Sequence, residues 1–134
     1  MSSIIYMGIN APRIHQEIIA KLVYGGTYFY KNGESTLFPY PETMIDESET
    51  SPVPDVMLVN RETDLAEVII EITHTQGVKK DTEKVKELMR DYNVKEGFVY
   101  DYKLKIWTKI VDGQALASSY CDALKYDLNN FLID

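Results

Sequence analysis

The chain has 134 residues, 45% hydrophobic and 26% charged, which predicts one globular domain over 1–134 with a real buried core. No run reaches the roughly eighteen apolar residues of a membrane helix and no basic-then-apolar leader is evident, and the one cysteine, Cys121, excludes an internal disulfide, so the expected setting is a reducing cytoplasm without a membrane partner. A net charge of −7 counts against broad affinity for phosphate backbones, although residues 79–109 carry nine basic groups against six acids, a local +3 that leaves −10 for the rest.

Residues 12–22 are predicted to form a first helix, with Pro12 suited to its first turn and Ile14, Ile18 and Leu22 recurring every four residues as an apolar stripe. Gly25-Gly26 reads as its stop. The aromatic stretch 27–31 reads as a strand, turned at Asn32-Gly33 onto a partner over 35–40. The acidic, proline-containing stretch 41–54 reads as a surface loop, a connector or a lid. Two strands follow near 55–59 and 66–73, with a turn in 60–65, then a short loop at 74–77.

Residues 79–92 are predicted to be the main helix, with Val85, Leu88, Met89 and Tyr92 on one stripe. Strands are expected at 97–101 and 105–110, with Trp107 in sheet packing. Ser119 with Asp122 resembles a capping pair opening a last helix, which would carry Cys121 and be packed by Leu124, Leu128 and Phe131. The strand–helix–strand order over 66–101 implies a crossover unit and a mixed sheet.

Two acids stand out in the apolar strands. Asp55 opens the run Val56-Met57-Leu58-Val59, and Glu71 lies between Ile70 and Ile72. Alternation puts Val68, Ile70 and Ile72 on one face of the strand, and Ile69, Glu71 and Thr73 on the other. A carboxylate buried there is costly unless a cation or hydrogen-bond donors meet it. Two carboxylates on neighbouring strands can share one divalent ion, and a lysine in reach can orient water or neutralise charge. The same pair also suits a purely structural use, as a turn cap and an internal ion pair. His15 and His74 lack metal-ligand spacing, and no glycine-rich phosphate loop, serine elbow or paired-cysteine zinc pattern occurs.

Pro54-Asp55, followed sixteen residues on by an acid in an apolar strand, resembles the PD-(D/E)XK nuclease superfamily. Within it the chain is most similar to the Uma family of restriction-endonuclease-like proteins. The likeness rests on His15-Gln16-Glu17 in the first helix, Pro54-Asp55, Glu71, Asp81 and Lys84 on the following helix, and the phrase from Val94 to Asp101. It covers roughly residues 12 to 107. The superfamily's usual lysine two residues past the second acid is replaced by Thr73.

The resemblance implies an α/β fold of the restriction-endonuclease-like kind, a central mixed β-sheet flanked by helices. It also implies metal-dependent hydrolysis of DNA phosphodiester bonds. Asp55 and Glu71 would ligate Mg²⁺ or Mn²⁺. The lysine role would move to Lys84, with Lys80 and Lys79 as rivals, and Glu17 would assist from the first helix. Such nucleases often act as homodimers, so that two sites meet two strands. A different reading is a catalytically silent version of the fold that binds protein or nucleic acid, which the acidic surface and Thr73 favour.

Overall fold

The protein is described from a computed structural model covering residues 12–46 and 52–134. Its first element, α1 (Arg13–Lys31), is longer than the sequence suggested. It runs through Gly25-Gly26 and takes in the expected strand at 27–31. Two close approaches explain this. A Cβ on Gly25 would run into the Phe131 ring, and one on Gly26 would stand 3.1 Å from the Pro39 ring. The glycines therefore let α1 press against its neighbours rather than end it. The aromatic residues are spent on packing: Phe29 lies 4.6 Å from Tyr126 and 5.2 Å from Phe131 between ring centroids. The helix ends at Asn32, with Gly33 at φ +74°, so the asparagine–glycine pair closes a helix instead of turning a hairpin. Of the expected stripe, Ile18 and Leu22 are buried, joined by Ile19, while Ile14 is exposed.

Six strands form one sheet in the order β1-β2-β3-β4-β5-β6. β1 (Leu37–Pro41) pairs antiparallel with β2 (Val56–Asn60), not with the segment before it. β2 turns through 61–64 into β3 (Leu65–Thr73), antiparallel as expected. A 3-10 turn at Thr75–Gly77 then leads into α2 (Val78–Tyr92), and β4 (Glu96–Asp101) returns parallel to β3. β5 (Ile106–Val111) and β6 (Gln114–Leu116) complete the sheet in antiparallel fashion. Residues 47–51 of the acidic loop, and with them the lid alternative, lie outside the described residues.

The strand alternation reads out as two cores. Val68, Ile70 and Ile72 face α1 together with Phe98 and Trp107. Ile69 and Val99 face α2, against Val85, Leu88 and Met89. Trp107 is buried as expected and donates its Nε1–H to Asn129 Oδ1 at 3.0 Å. α2 sits directly on β4, because a Cβ at Gly97 would stand 2.5 Å from both Met89 Sδ and Val85 Cγ1. Gly97→Ala is expected to lower stability by about 1–3 kcal/mol through overpacking, read from urea unfolding.

The C-terminal region departs from expectation. In place of a helix, β7 (Tyr120–Cys121) pairs with β8 (Tyr126–Asp127), followed by a 3-10 segment Leu128–Leu132. A buried carboxylate anchors the segment. Glu96 accepts the backbone N–H groups of Asp122 at 2.7 Å and Ala123 at 2.8 Å. Lys109 Nζ lies 3.2 Å from Glu96 and donates to the Tyr120 carbonyl at 2.7 Å. These bonds tie the segment after Ser119 to β4 and β5, and Asp127 caps the 3-10 segment by accepting from Asn129 N–H. Cys121 is fully buried in β7, its thiol pushed up to about 12 by burial, which leaves it inert. Leu124 and Leu128 join the core facing α1, as expected.

Candidate active site

β2 and β3 pair, with a register shift between Leu58 and Val59, up to Val56 opposite Ile70. One residue further on, side chains replace the backbone ladder. The Asp55 N–H donates to Glu71 Oε1 at 2.8 Å, and the Ile72 N–H donates to Asp55 Oδ2 at 2.7 Å. Each carboxylate thus holds the other strand. These two bonds bring Asp55 and Glu71 together where the β2–β3 ladder ends.

Lys84 completes the group from α2. Its Nζ donates to Glu71 Oε2 at 2.7 Å, with the lysine side chain 29% exposed and the glutamate 5%. The connection that places it is short: a Cβ at Gly77 would collide with Thr73 Oγ1, so only glycine allows the 3-10 turn to lie this close to β3. Val85, Leu88 and Met89 point α2 at the sheet, and Lys84 flanks that stripe. Lys80 sits about one turn earlier, about 6 Å back along the axis. It is exposed, as is Lys79, and neither contacts the acids.

The other expected participants lie apart. Glu17 is 57% exposed and pairs with Lys21 at 3.3 Å, which in turn holds Asp134 at 2.8 Å. Thr73 is buried and donates to the His74 carbonyl at 3.3 Å, so its hydroxyl is occupied by the backbone. His74 is exposed. The residue that α1 does bring is His15, whose Nε2 lies 3.2 Å from Asp55 Oδ2. Its lack of histidine-pair spacing concealed it. The only sequence signal was its place in the His15-Gln16-Glu17 stretch.

Electrostatics mark the same point. Burial pushes the Glu71 carboxyl up to about 7, the charge on Asp55 pushes in the same direction, and Lys84 opposes both. His15 is raised above its usual value, chiefly by its bond to Asp55 and against the effect of its own burial. The two acids therefore repel, and a single lysine only partly offsets this.

That imbalance bears on a divalent cation. Among the described residues no three His, Cys, Asp or Glu side chains form a ready cage. Mg²⁺ does not need one: it is typically held by one or two carboxylates, with waters and substrate phosphates filling the remaining positions. Asp55 Oδ1 accepts no hydrogen bond from a described residue, and the Asp55 side chain is 15% exposed. Two hard oxygen donors, one of them disfavoured in its charged form, suit such an ion.

The sequence matches no family model and no curated protein. Solved structures do match. One is a protein of Anabaena variabilis described as a putative nuclease belonging to DUF820, 12% identical, with a TM-score of 0.65, covering 87% of this chain and 79% of that one. Another is the type IIG restriction endonuclease BpuSI, 13% identical, with a TM-score of 0.58, in which 89% of this chain corresponds to 15% of the larger protein. At these identities the matches speak for architecture. The six-stranded mixed sheet with α1 and α2 on its two faces is a restriction-endonuclease-like α/β fold.

Proposed function

We propose that this protein is a metal-dependent nuclease that hydrolyses DNA phosphodiester bonds, related to the Uma family, with Asp55 and Glu71 as the ligands of Mg²⁺ or Mn²⁺. One observation carries the reading: two acids from adjoining strands meet at the sheet's end with a lysine 2.7 Å from the more buried one. The nuclease descriptions of two proteins with the same fold support it. When bound, the ion supplies Lewis-acid neutralisation of the phosphate oxygens. Lys84 reaches the same point from α2, where an ammonium stabilises charge that develops on the phosphate and orients water. It does so in place of the residue two beyond Glu71, Thr73, which is committed to the backbone. Lys79 and Lys80, exposed on the first turn of α2, would meet the DNA backbone, countering the overall acidity of the chain. A homodimer would bring two such sites to the two strands of a duplex. No helix among the described residues is long and apolar enough to cross a membrane, and we take the cytoplasm as the place of action.

The test is incubation with mixed DNA and RNA substrates in Mg²⁺ and in Mn²⁺. Cleavage of DNA that stops on chelation is expected. Absence of cleavage with either ion, together with no rise in melting temperature on adding Mn²⁺, would overturn the proposal in favour of a silent fold.

A further inference from the structure

Asp55 is held by two donors that converge on one oxygen. The Ile72 N–H reaches Oδ2 from β3 at 2.7 Å, and His15 Nε2 reaches the same atom from α1 at 3.2 Å. A carboxylate oxygen only accepts, so the histidine donates through Nε2–H. Oδ1 is left without a donor among the described residues. The backbone donor alone fixes one oxygen but not the plane of the group. A second donor, arriving from a helix forty residues away in the chain, fixes that plane as well.

His15 carries a cost that its own packing does not explain. Nδ1 is the buried side-chain polar atom that finds no partner among the described residues. Leaving such an atom unpaired is costly. The bond that His15 makes among the described residues is the one to Asp55 Oδ2.

We infer that His15 is a positioning residue: it turns the Asp55 carboxylate so that Oδ2 is spent on the protein and Oδ1 is kept for the cation. The inference rests on the metal-binding reading given above. Groups that orient a liganding carboxylate typically contribute 10- to 100-fold to metal affinity.

The experiment measures Mn²⁺ affinity by calorimetry for the wild type, His15→Ala and His15→Gln, with urea unfolding of the metal-free proteins alongside. His15→Ala is expected to bind Mn²⁺ about 10- to 100-fold more weakly. His15→Gln, whose amide N–H can still donate to Oδ2, is expected to recover most of that loss. A purely structural histidine would lower affinity only in proportion to lost stability and would show no rescue by glutamine, and that pattern would overturn the inference. Wild-type affinity in His15→Ala would overturn it equally. A wild type that binds no Mn²⁺ would sink the nuclease reading itself and this inference with it. Should His15→Ala fail to fold, the comparison of His15→Gln with wild type decides, since a folded glutamine variant with affinity reduced about 100-fold or more contradicts the role assigned to the donor.

Discussion

Removing either acid, as Asp55→Ala or Glu71→Ala, is expected to lower DNA cleavage by about 10³-fold or more and to abolish the Mn²⁺-induced rise in melting temperature. Charge neutralisation by a divalent ion is worth several kcal/mol in the transition state, and each ~1.4 kcal/mol is a factor of ten in rate. Lys84→Met separates holding the ion from the chemistry. It removes the ammonium 2.7 Å from Glu71 Oε2 and leaves both carboxylates in place. A fall in kcat of about 10²- to 10³-fold is expected for the loss of one such group, with Mn²⁺ binding retained. Without Lys84, which holds the Glu71 pKa down, that pKa should rise further, and a carboxyl carbon-13 titration would follow it. Lys80→Met should leave kcat near wild type, because that side chain does not touch the acids. If Lys80→Met were the inactive variant and Lys84→Met the active one, the assignment of the lysine would be reversed. Full activity in the Asp55→Ala protein would remove the basis for the site.

The second large effect concerns pH and stability. The Glu71 carboxyl stands at about 7 in the folded protein against an ordinary value of 4.5. Between those values the folded chain holds a proton that the unfolded chain has released, so stability falls as pH rises. The contribution is fully present below about 4.5 and is lost once pH passes about 7. At about 1.4 kcal/mol per pH unit the difference amounts to about 3 kcal/mol. Glu71→Gln keeps the shape and cannot ionise. Its stability relative to wild type is therefore expected to improve by about 3 kcal/mol between pH 4 and pH 8.5, measured by urea unfolding at both pH values in the presence of a chelator. His15, raised above 6.5 by Asp55, shifts wild-type stability in the same direction and is present in both proteins. A difference that does not change with pH would show that Lys84 and the Asp55 N–H fully offset the burial of Glu71.

Much of the sheet was legible because its signals are local. The alternation in β3 separates Val68, Ile70 and Ile72 from Ile69, Glu71 and Thr73, and the two sets do face different helices. The stripe of Val85, Leu88 and Met89 likewise marks α2. Those periodicities follow from chain geometry and survive in any context that buries one face. Glycine and aromatic residues were misleading for the opposite reason. Gly25 and Gly26 carry a stop signal in isolation, yet in the protein they are contact points for Phe131 and Pro39, and those partners are distant in sequence. The segment after Ser119 forms β7 and β8 in place of the expected helix, and its contacts run to Glu96, some twenty-five residues earlier.

The site divides in the same way. Asp55 and Glu71 could be nominated from sequence, since an acid in an apolar strand is anomalous wherever the strand lies. Which lysine meets them depends on the phase of α2 relative to β3, and that phase is set by the tight turn at Gly77 against Thr73. Which residue of α1 meets them depends on how that helix docks, and docking brings His15 to Asp55 while turning Glu17 outward to Lys21. The order of residues alone thus determined strands β1 to β5, the main helix and the two acids, each of which follows from short-range periodicity and the cost of burying charge. Only tertiary packing decided the partners of those acids, because a side chain's neighbours across forty residues depend on helix phase and contact distance, which no local pattern encodes.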